Sequence, residues 1–176
     1  MKKQDEVSVR ICGIGGQGIV LAGNLLAEAL LRTYAYATNS ASYGPEVRGA
    51  SVQADVIASR RWIAYPRAHN PGFVIALGQK VYNTGLADFD KDAVVLYDPV
   101  LVHPSEKCPA RHIPVKASQA CQEKFSDTTD VNLVMLGALS ALGVVAAQDL
   151  EAAATERFRD KDDARRAVAL GRELAV

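Results

Sequence analysis

Six consecutive residues, Gly13-Ile14-Gly15-Gly16-Gln17-Gly18, constrain this chain more than any other stretch. Upstream, Val7, Val9 and Ile11 recur at every second position, the period of a strand that buries one face. Downstream, Ala22, Leu25, Leu26, Ala29 and Leu30 recur at spacings of three and four and share one face of a helix over Ile19 to Arg32. A strand that enters a glycine turn and leaves as a helix opens an open α/β sheet. Glycines let the backbone turn tightly, and the free N–H groups of a helix start favour an anion.

The rest of the chain continues the pattern. Tyr34 to Thr38 reads as a second strand and Asn39 to Gly49 as a polar loop. Ser51 to Ala58 alternates and Trp62 to Tyr65 resumes after Arg60-Arg61, which predicts an antiparallel hairpin. Phe73 to Leu77 and Ala93 to Tyr97 are short, continuous apolar runs, expected of strands covered on both faces, with a short helix from Gln79 to Leu86 between them. Prolines at 99, 104, 109 and 114 keep Asp98 to Pro114 largely irregular, with a strand returning over Arg111 to Val115. Helices are expected over Ala117 to Phe125, Val131 to Val145, Glu151 to Arg159 and Asp162 to Leu174. The fold class is therefore α/β: a single open, mostly parallel twisted sheet flanked by helices, with an antiparallel hairpin. No repeat or linker interrupts it, so residues 1–176 are expected to form a single domain.

Composition excludes several classes. Twenty basic residues balance 20 acidic ones, which removes the sequence-independent attraction to phosphate backbones, so no nucleic acid is expected as a partner. The charge-free run from Val131 to Gln148 is about as long as the shortest bilayer span. Its Asn132, Gly137, Ser140, Gly143 and Gln148 favour instead a helix buried in the domain or under a partner subunit, and no membrane association is expected. Three dispersed cysteines, Cys12, Cys108 and Cys121, fit a reducing, cytoplasmic setting and cannot supply the four thiolates of an iron–sulfur cluster. The charged start from Met1 to Glu6 lacks the order of a secretion signal.

Two motifs carry the functional reading. Gly13 to Gly18 satisfies the G-x-G-x-x-G spacing, but a dinucleotide site needs an acidic residue at the end of the second strand, where Thr38-Asn39-Ser40-Ala41 stands. No Gly-Lys-Ser or Gly-Lys-Thr follows, so the turn is not a nucleotidase phosphate loop. The second motif is Ser42-Tyr43-Gly44-Pro45-Glu46-Val47-Arg48-Gly49, a glycine–proline turn flanked by an aromatic, a carboxylate and a guanidinium. The residues alone leave it open whether this loop is functional or whether Glu46 and Arg48 form a surface ion pair that stabilises a turn. His69, His103 and His112 are isolated and expected to be solvated, and no set of residues reads as catalytic or metal-binding. Cys12 is expected to be a small core residue, although its place before a helix start leaves a lowered thiol pKa open.

Together, Gly13-Ile14-Gly15-Gly16-Gln17-Gly18, Ala22-Gly23, Leu26-Ala27 and the Tyr43 to Gly49 loop resemble the gamma subunit of the 2-oxoacid:ferredoxin oxidoreductases. Ile63 with Pro66, Ala76-Leu77 with Gln79 and Tyr82, and the helix from Asn132 to Leu139 extend the resemblance. Ala50 departs from it, standing where many relatives carry a second glycine. The resemblance implies a subunit of an enzyme that oxidatively decarboxylates a 2-oxoacid, with 2-oxoglutarate slightly favoured, onto coenzyme A and reduces ferredoxin. It implies alpha, beta and ferredoxin-like delta partner subunits that carry thiamine diphosphate, Mg2+ and iron–sulfur clusters, with none of these cofactors bound by this chain alone. The glycine turn (Gly13, Gly15, Gly16, Gln17, Gly18) and the loop (Tyr43, Gly44, Pro45, Glu46, Arg48, Gly49) would then face a partner subunit, the active-site cleft or coenzyme A. The competing expectation is an independent nucleotide-binding module, such as a small dinucleotide-dependent reductase, that uses the same turn.

Overall fold

The computed structural model describes residues 5–45, 49–125, 130–158 and 160–175. In chain order the elements are β1 (Glu6–Ile14), α1 (Ile19–Leu30), β2 (Tyr36–Tyr43), β3 (Ser51–Ser59), β4 (Phe73–Ala76), α2 (Gln79–Gly85), a 3-10 turn (Leu86–Asp88), β5 (Val94–Tyr97), β6 (Arg111–Pro114), α3 (Ala117–Phe125), α4 (Val131–Ala141), α5 (Ala147–Arg157) and α6 (Lys161–Leu174). The strands form an open sheet in the order β2-β3-β1-β4-β5-β6. Pairings β1–β4, β4–β5 and β5–β6 are parallel, and β3 alone runs against its neighbours β1 and β2.

Alternation along β1 sets the two faces. Val7, Val9 and Ile11 point to the layer of α1, α3, α4, α5 and α6, where they meet Leu25, Leu26, Val134 and Leu136. Cys12 points to the other layer, a smaller core with Val74, Ala76, Tyr82 and Val95 beneath α2. The apolar helix expected after residue 130 is α4, and every residue from Val131 to Ser140 is buried. It lies against α6 at a glycine contact: a Cβ on Gly137 would overlap the backbone of Val168, and one on Gly171 the backbone of Val134. The helix ends earlier than its pattern predicts because Gly143, at φ +77°, turns left-handed while its N–H closes on the Ser140 carbonyl.

The antiparallel hairpin exists, but its arms differ from the expected ones. β2 pairs with β3 from Tyr36↔Ser59 to Tyr43↔Val52, so Asn39 to Tyr43 is strand and not loop. Its small polar residues suit a sheet edge where every interior position is half-buried, and such a strand lacks the apolar alternation that marks a core strand. Trp62 to Tyr65 is irregular: Trp62 is 77% exposed and rests edge-on against Tyr36. Among the described residues, no helix is long and apolar enough to cross a membrane.

Candidate functional site

The two sequence motifs meet at one end of the sheet. Antiparallel pairing sets Gly13 opposite Val52 and Ile14 opposite Ser51, while Tyr43, the last residue of β2, lies across Val52 from the other side. The Gly15 N–H donates to the Ala50 carbonyl at 2.9 Å, and the Gly44 N–H donates to the Ser51 carbonyl at 2.7 Å. The segment that joins β2 to β3 therefore ends against the glycine turn, and its start is tied to the first residue of β3. Tyr43 is 67% exposed, Pro45 and Gly49 are exposed, and Gly44 is half-buried. Gly49 takes φ +62°, which fits a glycine at the exit of the loop. Glu46 and Arg48 lie outside the described residues.

Gln17 organises the turn. Its side-chain oxygen accepts the Ile14 N–H at 2.8 Å, and its amide nitrogen donates to the Leu77 carbonyl at 3.0 Å, just beyond β4. One side chain thus bridges the carboxyl ends of β1 and β4, where the strand order reverses and ligands of open α/β sheets commonly bind. Gly78 closes from the same side, with the position of a Cβ only 3.1 Å from the Gly13 backbone. Gly13 itself admits no side chain, since a Cβ there would come within 2.5 Å of Gln17 Oε1 and overlap Ile19.

A phosphate loop aims its amides at the ligand, whereas here several are already engaged. The N–H of Ile14 goes to Gln17, that of Gly15 to Ala50, and that of Gln17 to the Ile14 carbonyl at 3.2 Å. Gly18 caps α1 in the left-handed region, φ +68°. Asn132 of α4 covers it, its amide donating to the Gly18 carbonyl at 3.3 Å. The geometry is that of a structural turn that locks β1, β3, β4 and α4 together. The dinucleotide arrangement is also missing in topology: antiparallel β3 lies between β1 and β2, so β2, whose end would hold a ribose, is not the neighbour of β1.

The layer beneath α2 holds a charge cluster that sequence reading does not single out. Arg10 and Asp55 face each other across β1 and β3, and both are almost fully buried. Arg10 Nε and Nη2 donate to the two oxygens of Asp55 at 2.8 and 3.2 Å, Nη2 also donates to the Ala68 carbonyl at 2.6 Å, and Nη1 reaches Asp88. Burial alone would lower the Arg10 pKa, but the hydrogen bonds to Asp55 and Asp88 outweigh it and the pKa is raised. The Ala68 N–H and the Gln53 side chain complete the shell of Asp55. A cation between Val9 and Ile11 and an anion between Ala54 and Val56 were the available signal.

The histidines are not alike. His69 and His103 are exposed, with His69 stacked on Tyr65, but His112 is half-buried and its Nε2 lies 2.9 Å from the Tyr82 hydroxyl. Burial lowers its pKa. The same hydroxyl accepts the Ser105 N–H, while Gln79 holds the backbone of His103 from both sides, so Gln79 and Tyr82 together fasten the proline-rich segment to α2. Cys12 is a core residue: burial pushes its thiol up to about 12, opposite to the lowering that a helix start could give. Cys12 and Cys121 belong to cores on opposite faces of the sheet, so the cysteines cannot converge on an iron–sulfur cluster.

Comparison with known proteins bears on the same residues. The profile of the pyruvate ferredoxin/flavodoxin oxidoreductase family matches residues 8–174. The chain is 31% identical to the 2-oxoglutarate synthase subunit KorC of Methanothermobacter thermautotrophicus over 96% of this chain and 94% of that one. It is also 31% identical to the ketoisovalerate oxidoreductase subunit VorA of Methanothermobacter marburgensis, covering 88% of this chain but 31% of the longer relative. Among solved structures, the gamma subunit of a keto/oxoacid ferredoxin oxidoreductase from Geobacter sulfurreducens superposes with a TM-score of 0.83 at 27% identity, over 98% of this chain and 97% of that one.

Proposed function

The chain belongs to the pyruvate ferredoxin/flavodoxin oxidoreductase family, and we propose that it serves as the gamma subunit of a complex that converts 2-oxoglutarate and coenzyme A to the acyl-CoA with reduction of ferredoxin. The observation that carries this reading is the near end-to-end match to a 2-oxoglutarate synthase subunit. The match to VorA, where the same unit is about one-third of a longer chain, supports a domain that works as part of a larger assembly.

The chain's own chemistry is positional. With its cysteines divided between two cores, it offers no ligand set for a cluster, and electron transfer falls to alpha, beta and ferredoxin-like delta partners. Thiamine diphosphate and Mg2+ are assigned to the same partners, and a cytoplasmic setting goes with them. The glycine turn holds Ala50, the end of the Gly44–Ala50 connection, while Gly44 is tied to Ser51, so Tyr43, Pro45 and Gly49 share one exposed rim. The loop that leaves this rim, which carries Glu46 and Arg48 in its sequence, faces the partner subunit or the pantetheine and phosphate groups of coenzyme A.

The test is purification of the intact complex from its source, followed by dye reduction with 2-oxoglutarate, pyruvate and 2-oxoisovalerate in turn. Preferred turnover of 2-oxoglutarate is expected, and equal or better turnover of another acid would refute the substrate. Arg48→Ala should raise the KM for coenzyme A without altering the thermal stability of the chain, and unchanged kinetics would leave Arg48 a turn residue. Calorimetric titration of the chain with NAD, NADP and FAD should give no heat of binding. Micromolar affinity for any of them would revive the nucleotide-module reading that the self-satisfied turn disfavours.

A further inference from the structure

β2 is an edge strand with an unusual lack of protection. It runs for eight residues in unbroken register with β3, and Tyr36-Ala-Thr-Asn-Ser-Ala-Ser-Tyr43 contains no charge and no proline. Exposed edges are ordinarily blunted by lysine, proline or a bulge, because their unpaired backbone groups template another strand. The direction of those groups follows from the ladder. The Gly44 N–H bonds to Ser51, so alternate residues Ser42, Ser40, Thr38 and Tyr36 turn their backbone groups to β3. Ala37, Asn39, Ala41 and Tyr43 turn theirs outward, and among the described residues no backbone hydrogen bond engages them.

We propose that this edge pairs with β2 of a second copy of the chain, antiparallel about a two-fold axis at Ser40. The edge is its own complement. Antiparallel partners must share a face, which restricts the register, and the one centred on Ser40 sets Ala37 opposite Tyr43 and Asn39 opposite Ala41. Every outward N–H and C=O of the strand is then paired. On the other face, Ser40 meets Ser40 and Thr38 meets Ser42, hydroxyl pairs that favour strand association.

Side chains at the strand ends fit the same register. Tyr43 is 67% exposed at one end. At the other end lies an apolar groove of about 290 Å³ lined by Leu31, Ala35, Tyr36, Ala37, Trp62 and others. Two-fold pairing carries each Tyr43 over Ala37 of the other copy and hence to the mouth of that groove. The absence of charge along the strand leaves no like pair to oppose the contact.

The experiment uses the full chain with Cys108→Ser, which removes the half-buried thiol and leaves only buried cysteines. Ser40→Cys in this background should give a disulfide-linked dimer on mild oxidation, since non-hydrogen-bonded antiparallel partners lie at about 4.5 Å between Cα atoms, within disulfide reach. Sedimentation equilibrium should return twice 18.8 kDa for the unmodified chain. Tyr43→Lys should weaken the dimer at least about tenfold, and Ala41→Pro, which removes an outward donor, should abolish both dimer and cross-link while circular dichroism reports a folded chain. A monomer at about 100 µM with no cross-link overturns the proposal. So does a cross-link from the introduced thiol to a different subunit in the purified complex, which would give the edge to that subunit.

Discussion

Replacing Gly18 by Ala tests whether the glycine turn is a packing device or a vacant cradle. Gly18 has φ +68°, a conformation that costs an alanine roughly 1–2 kcal/mol. Its new Cβ would also overlap Asn132 Nδ2. Asn132 is buried, donates to the Gly18 carbonyl and accepts the Leu133 N–H at 2.7 Å, so displacing it breaks a hydrogen bond and strands an amide, about 1–3 kcal/mol more. Gly49→Ala is the control: its φ is +62°, close to that of Gly18, and a Cβ there has no atom within 4 Å, so it carries the backbone cost alone. Urea melts should therefore place Gly18→Ala below Gly49→Ala by about 1–3 kcal/mol, or about 2–4 °C in Tm for each kcal/mol. Removing the obstructing amide should restore part of the loss, so Gly18→Ala with Asn132→Ala should be less destabilised than the two singles added together. Equal losses for Gly49→Ala and Gly18→Ala, with an additive cycle, would refute the claim that α4 is packed against this turn.

Asp55→Ala should destabilise the chain by about 3–5 kcal/mol because it strips the bidentate partner from a buried Arg10, whereas Arg10→Met with Asp55→Leu should recover much of the loss. Chemical denaturation of the singles and the double checks it, and a single loss below about 1 kcal/mol would contradict the burial. Cys12, pushed up to about 12 by burial, keeps its proton in the folded chain while the unfolded thiol loses it near pH 9. Stability should therefore fall by about 1.4 kcal/mol per pH unit between those values, a slope that Cys12→Ala removes. His112 has a lowered pKa from burial, so as pH falls below about 6.5 the unfolded chain takes up a proton that the folded chain resists. The resulting acid loss of stability should shrink in His112→Gln, measured as Tm between pH 7 and pH 5, and an unchanged profile would assign it to other groups.

How much of this was legible in the sequence depended on whether the signal was local. β1, the glycine turn, α1, α3 and the buried character of α4 were written in periods of two and 3.6 and in glycine placement, because each follows from which face of one element is apolar. β2 was half missed, since an edge strand of small polar residues has no apolar alternation to report; its partner, not its composition, makes it a strand. Arg10 and Asp55 are 45 positions apart and acquire meaning only through their antiparallel register, as do the contacts of Gln17 with Leu77 and of Asn132 with Gly18. The sequence by itself determined the α/β class, the two motifs and the family to which they point. Tertiary structure alone decided that the motifs share one rim, that the amides of Ile14, Gly15 and Gln17 are engaged within the protein, and that the edge of β2 is left open. Those are properties of which distant residues are brought together, and pairing across a sheet is set by the whole core rather than by any stretch within it.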